Sequence, residues 1–496
     1  MKRLIFSLLS CVAIISWAQV GDLQRSTPAA EGVDPAAVAR FIDSLLAVPK
    51  TELHHVMVVR HGKVIAEAHP APYRAQDAHT LYSCSKTFTS MAVGIAISEN
   101  RLRLTDRVLS FFPEKAPAEI SDNLAAMTVR DLIIMAAGSK PDWVMRNFES
   151  DWIKTWLNIP CTEKPGTLFQ YDSMCSFMLS AIVQRVTGMT MLDYLKNHIF
   201  NDMHITEVDW QQSPDGINTG GWGLRLQTES LAKFGILLLN GGKWEGKQLV
   251  PAEWIAEASQ AKINRPNVKP CDPPLDTNRG YCYHMWRSKR DGSFRADGAY
   301  GQFVVCIPDK DMVVVINGLS YNTSGELNCI WDYLMPGVDA KIDEKAQSRL
   351  VSACGKAALP MPKGKKTGGN LPVLLKLEDN KQGITSIEIE NNYNMTINFK
   401  DGKSENIALG YGEWKYNKMN GVPPYSIEAV DRFKGLKHNY EVAGAYAWSG
   451  KKKLTVQLEY VNWISAQTLK FDFASQTVTL INNFDTKPIV IKAISQ

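Results

Sequence analysis

The chain has 496 residues, 45% of them hydrophobic and 21% charged, with 55 Lys and Arg against 51 Asp and Glu. A net charge of +4 over that length argues against an electrostatic partner such as nucleic acid or an anionic membrane surface, and the composition excludes wholesale disorder. Length alone favours two or three domains.

The first residues read as an export signal. Met1-Lys2-Arg3 is a basic n-region, residues 4–17 form an apolar run, and Ser16-Trp17-Ala18 supplies small residues where a signal peptidase needs them, so 1–18 is expected to be removed. The run is too short, and too often broken by serine, to anchor the chain across a bilayer. Leu8-Leu9-Ser10-Cys11 is similar to a lipobox, but the apolar run continues past Cys11, so the expected destination is the periplasm or the exterior rather than a lipid anchor. Cleavage leaves eight of the nine cysteines, which read as mostly buried thiols; Cys271 and Cys282 are the one pair whose closeness suggests a bridge. The histidines show no metal-ligand spacing, so neither a metal nor another cofactor is expected.

Residues 56–68 predict two strands turning at His61-Gly62, with His54-His55 flanking the first. From 83 to about 260 the chain is mainly helical. Thr128-x-x-Asp131 and Thr190-x-x-Asp193 look like capping boxes, the first opening a helix that runs to Gly138, and 230–239 is an apolar helix stopped by Asn240-Gly241-Gly242. Strand character returns at 302–307 and 312–317 around a Pro308-Asp309-Lys310-Asp311 turn. Strands at both ends of a helical segment predict an α+β domain over 19–354, the two ends sharing one antiparallel sheet. Residues 355–371 have linker composition, with few contacts expected to cross them. Beyond them, 372–496 alternate with period two, as in Leu454-Thr455-Val456-Gln457-Leu458, which predicts a separate all-β accessory domain, a sandwich or barrel, with a polymer or protein as its expected ligand.

Four Ser-x-x-Lys sequences occur, at Ser83, Ser230, Ser259 and Ser449. Ser449 falls in a hairpin turn, and Ser230 and Ser259 fall in amphipathic helices where both residues read as surface. Ser83-Cys84-Ser85-Lys86 instead begins a run that is apolar on most faces, hence buried, where a serine and a lysine are costly unless used. Residues three apart share a helix face, so Lys86 can approach the Ser83 hydroxyl, and desolvation lowers a buried lysine's pKa enough to make it a base. Tyr171, in Tyr171-Asp172-Ser173 at a loop-helix junction, can relay a proton. Asp297-Gly298-Ala299-Tyr300-Gly301-Gln302 leads into a strand whose glycines permit close approach, and the Gln302 N–H can join the Ser83 N–H as an oxyanion hole. Two decoys drop out. Gly241-x4-Gly246-Lys247 lacks the Ser or Thr and the helix of a P-loop, and no Gly-x-Ser-x-Gly elbow exists.

This order of Ser-x-x-Lys, Tyr-x-Ser and a glycine-containing edge-strand motif resembles the serine β-lactamase and penicillin-binding-protein fold over about residues 25–340. Within it the likeness is to class C β-lactamases, D-alanyl-D-alanine carboxypeptidases, family VIII-type esterases and 6-aminohexanoate-dimer hydrolases, supported by Gly220-Gly221-Trp222-Gly223-Leu224. The resemblance implies Ser83 as acylated nucleophile, Lys86 as its base and Tyr171 as proton relay. Ser173, Tyr300, Gly301 and Gln302 would line the site of a small-molecule or peptidic acyl substrate. The chain departs from the family pattern where Tyr-x-Asn and Lys-Thr-Gly are replaced by Tyr171-Asp172-Ser173 and Ala299-Tyr300-Gly301. Without that lysine a β-lactam or peptide carboxylate loses its cation, for which Arg225, Arg287 and Arg295 are the candidate replacements. An esterase or amidase is therefore expected; the alternatives are a non-turnover penicillin-binding sensor and a D-Ala-directed peptidase.

Overall fold

The computed structural model describes residues 23–147, 151–265, 276, 279–484 and 487–494. Six antiparallel strands form the central sheet: β1 (Thr51–Arg60), β2 (Lys63–Ala68), β3 (Trp286–Arg287), β4 (Phe294–Gly298), β5 (Gln302–Ile307) and β6 (Met312–Ser320), in the order β2-β1-β6-β5-β4-β3. The pairing of β1 with β6, from Thr51 opposite Ser320 to Arg60 opposite Met312, joins the two ends of the domain as expected. Successive residues of β1 serve opposite cores: Val56 and Val58 pack with Phe41 and Ile42, Met57 and Val59 with the helical side. Burial on both faces explains why these strands read as continuous apolar runs.

Four longer helices matter to the site and its setting: α1 (Pro35–Leu46), α2 (Ser85–Ser98), α3 (Ser173–Thr187) and α4 (Thr228–Leu239). Helix α1 covers one face of the sheet, and α2 is buried from Ser85 to Ala96. Both expected capping interactions form, Asp131 accepting the Thr128 N–H at 2.8 Å and Thr190 accepting the Asp193 N–H at 3.1 Å. The first helix, however, spans only Val129–Ile133 and stops well short of Gly138. The carbonyls of Met135, Ala136 and Gly138 accept from the N–H groups of Gln170, Gly166 and Glu163, so the chain turns to meet the segment carrying Tyr171 instead of continuing as a helix. His54 and His55 lie inside β1 rather than beside it, fully buried, because the strand begins at Thr51. The Gly241–Lys247 decoy is a small hairpin, Lys243–Trp244 against Lys247–Gln248. Cys282 donates its thiol to the Ser259 carbonyl at 3.3 Å, while Cys271 lies outside the described residues.

The C-terminal region is all antiparallel β. Among the described residues ten strands follow one another in sequence, a four-stranded sheet over residues 373–408 and a six-stranded sheet over 415–492. A bridge between Leu377 and Ala493, and the Gly410 N–H donating to the Gly444 carbonyl while the Gly410 carbonyl accepts the Tyr446 N–H, join the sheets at both edges, which gives a barrel-like enclosure around residues such as Ile387, Val456 and Leu469. The 355–371 segment is not a free tether. Leu359 pairs with Ala71 and is buried with Tyr73, Trp414 and Val461, and Lys365 bridges to Trp448. Contacts also cross elsewhere: the Lys437 N–H reaches Asp209 at 2.8 Å, Tyr416 reaches the Pro72 carbonyl at 2.8 Å, and Tyr321 reaches the Asn483 carbonyl at 2.6 Å.

Candidate active site

Ser83 sits in a single 3-10 turn, Tyr82–Cys84, that runs straight into α2. Tyr82 adopts φ 46°, a left-handed conformation that costs energy in a residue with a Cβ. Two anchors hold the turn: Ser85 Oγ donates to the Tyr82 carbonyl at 2.7 Å and accepts from the Leu224 N–H at 3.2 Å. Ser83 itself remains partly accessible.

Lys86, one turn on, is 1% exposed. Its Nζ donates to Ser83 Oγ at 3.1 Å, Ser173 Oγ at 3.0 Å and the Gly221 carbonyl at 2.7 Å, which uses all three ammonium directions. Burial brings its pKa down to about 7, against a smaller opposing pull from the Asp172 carboxylate. The environment thus removes most of the preference for the charged form while three acceptors fix the nitrogen beside the serine oxygen. Gly221 is required here, since a Cβ would lie 2.8 Å from the Ser173 carbonyl oxygen and 3.3 Å from Lys86 Nζ.

Tyr171 lies beside Ser83, near enough for the serine side chain to act on its hydroxyl, and its ring lies 4.9 Å from Lys86 Nζ. Burial raises its hydroxyl well above the ordinary value, partly offset by Ser83, so it stays protonated at neutral pH. The ring stacks on Trp286 at 5.9 Å and meets Tyr281 edge-on at 6.0 Å. Asp172 caps α3 by accepting the Met174 N–H at 2.8 Å and takes the Trp156 indole N–H at 3.1 Å; burial pushes its pKa up to about 6. Ser173, Ser83, Lys86 and Tyr171 therefore converge.

The edge-strand motif is placed differently from the expectation. Gly298 makes the close approach: a Cβ there would lie 2.4 Å from the Leu81 carbonyl oxygen, two residues before Ser83. Gly301 backs onto Glu326 instead, 2.4 Å from a carboxylate oxygen by the same construction. The Gln302 side chain is fully buried, donating to the carbonyls of Ala299, Tyr300 and Gly318 and accepting from Asn317, so it braces the turn rather than facing a ligand. Tyr300 packs edge-on against Tyr82 at 5.3 Å, with Tyr321 and Phe484 around it.

All three candidate arginines are engaged within the fold, two of them by carboxylates. Arg225 is buried against Asp209 and the Lys437 carbonyl, Arg295 is 0% exposed and bound to Asp297, and Arg287 bonds the Ser259 and Gly292 carbonyls. Ser230 and Lys233 are also buried rather than on the surface, with Lys233 Nζ donating to the Met203 carbonyl at 2.9 Å. His284, which carried no signal in the sequence, lies beneath the site. Its Nδ1 meets the Ile133 carbonyl and its Nε2 the Ser176 hydroxyl, both at 2.9 Å, and burial beside Lys86 holds it neutral with a pKa of about 3.

A serine beside a buried lysine and a tyrosine, at the head of a buried helix and against the edge of an antiparallel sheet, matches one known family. The chain belongs to the beta-lactamase family, whose model spans residues 39–327. Among its relatives, the 6-aminohexanoate-dimer hydrolase of Paenarthrobacter ureafaciens is 24% identical over 324 residues, covering 61% of this chain and 82% of the relative. The beta-lactamase of Escherichia coli strain K12 is 21% identical over 318 residues, covering 53% of this chain and 81% of its own. In structure, EstCE1, a hydrolase with promiscuous acyltransferase activity, aligns with a TM-score of 0.50 at 15% identity over 62% of this chain and 99% of its own. At these identities the family is common and the fold is shared.

Proposed function

We propose that the protein is an exported serine hydrolase that cleaves an ester or amide through an acyl-enzyme on Ser83. The observation that carries this reading is Lys86 Nζ, buried, 3.1 Å from Ser83 Oγ and with a pKa of about 7. In the proposed cycle neutral Lys86 takes the Ser83 proton as Oγ attacks the acyl carbon. The resulting oxyanion is held by the Ser83 N–H and a backbone N–H of the 299–302 turn. Tyr171 passes the proton to the leaving group, and water then attacks the acyl-enzyme with the same groups acting in reverse.

The sensor and D-Ala-directed peptidase readings need a cation for the ligand carboxylate, and the engagement of Arg225, Arg287 and Arg295 counts against both. Export rests on the composition of residues 1–18 and is tested by N-terminal sequencing of the mature protein. For the activity, kcat/KM toward a short-chain p-nitrophenyl ester should fall at least a thousandfold in Ser83→Ala with the fold intact by circular dichroism. Retention of wild-type rates in Ser83→Ala would refute the assignment.

A further inference from the structure

The rim of the site carries a carboxylate that the proposed chemistry does not use. Asp297 is the penultimate residue of β4, immediately before the Gly298 that closes on the Leu81 carbonyl. Its Oδ2 accepts from Arg295 Nε at 2.9 Å, its Oδ1 has no hydrogen-bond partner among the described residues, and its side chain is 26% exposed. Arg295 does not cancel the local negative charge, because it is shared with Asp276 at 3.7 Å: two carboxylates face one guanidinium. The carboxylate is close enough to the reacting groups to help raise both the Tyr171 hydroxyl and the Cys84 thiol. Alongside stand the partly exposed rings of Tyr171 and Trp286, stacked at 5.9 Å, with Trp286 opposite Arg295 in the strand register.

A free carboxylate oxygen next to aromatic faces is a cation-binding arrangement, since the ring quadrupole and the carboxylate both favour positive charge. The same arrangement repels an anion, and Arg295, the cation beside Asp297, is already shared between two carboxylates. We infer that Asp297 selects acyl substrates bearing an ammonium group, held between Asp297 Oδ1 and the Tyr171–Trp286 wall while the acyl carbon lies at Ser83. This assignment rests on the acyl-enzyme reading and adds to it the charge class of the substrate.

The test compares the p-nitrophenyl esters of β-alanine and butyric acid, which are isosteres differing only in ammonium against methyl, with spontaneous hydrolysis subtracted. Wild type is expected to show a kcat/KM ratio of ten- to a hundredfold in favour of the amino ester. In Asp297→Asn that ratio should collapse toward one, and in Asp297→Glu it should recover in part. Fluorophosphonate labelling of Ser83 is followed in parallel. Butyrate ester turnover with no preference for the amino ester, or a preference unchanged in Asp297→Asn, overturns the role of Asp297 alone. Loss of both esterase activities together with failure of Ser83 to label overturns the acyl-enzyme reading and this inference with it.

Discussion

The pH dependence of turnover follows from the state of Lys86. An ordinary lysine, with a pKa of 10.5, is neutral in only about one molecule in 3,000 at pH 7, whereas a pKa of about 7 leaves half the molecules with a competent base. For a p-nitrophenyl ester, log kcat/KM should therefore rise with unit slope from pH 5, bend near pH 7 and level off above pH 8. Asp172→Asn should move the bend to lower pH, because the Asp172 carboxylate is the group that supports the ammonium. Stability carries the same signature. Unfolding returns Lys86 to 10.5, so between about pH 7 and 10.5 the unfolded chain binds the extra proton and stability rises with pH. The cost of burying the ammonium, about 5 kcal/mol, is fully present below that window and absent above it. Lys86→Met should abolish turnover and flatten this part of the stability profile. A rate profile that is level from pH 5 to 9, or a bend near pH 10, would refute the reasoning.

Gly221→Ala should cut kcat/KM about ten- to a hundredfold while the circular dichroism spectrum is retained, because its Cβ crowds the Ser173 carbonyl and Lys86 Nζ and a small misplacement of a catalytic group is costly. Tyr425→Ala should lower both Tm and small-ester kcat/KM. The ring is buried against Trp463 at 4.9 Å and Tyr82 at 6.2 Å, loss of a buried aromatic costs about 3–5 kcal/mol, and Tyr82 precedes the nucleophile; a lower Tm with unchanged kinetics would show the interface to be structural only. A short-chain ester should be cleaved with kcat/KM about ten- to a hundredfold above that for a cephalosporin, whose carboxylate meets candidate arginines already engaged with Asp209, Asp297 and backbone carbonyls; comparable values in steady-state assays would contradict this.

The Ser83–Lys86 cluster was legible because helix periodicity is local. Ser83 and Lys86 share a face by spacing alone, and the buried run behind them marks which of four Ser-x-x-Lys sequences matters. Tyr171 and Ser173 were marked by their place at a loop-helix junction. The sheet was legible from its strands' apolar runs at both ends of the domain. Long-range packing was not. Which glycine of the 297–302 motif approaches the segment leading to Ser83 depends on how β4 and β5 register, so Gly298 rather than Gly301 lies against the Leu81 carbonyl. The arginines offered no clue that Asp209, Asp297 and backbone carbonyls from distant segments would engage them. The linker composition of 355–371 likewise gave no sign that the barrel returns to the catalytic domain, where Ser426 Oγ lies 2.8 Å from the Tyr82 hydroxyl and Phe484 packs on Tyr300.

Mass spectrometry of the intact protein after exposure to a fluorophosphonate bears most directly on the acyl-enzyme. Wild type should gain one phosphonyl group, mapped by peptide fragmentation to Ser83, and Ser83→Ala should gain none. Quantitative labelling of Ser83→Ala, or a wild-type adduct on any other serine, would contradict Ser83 as the nucleophile.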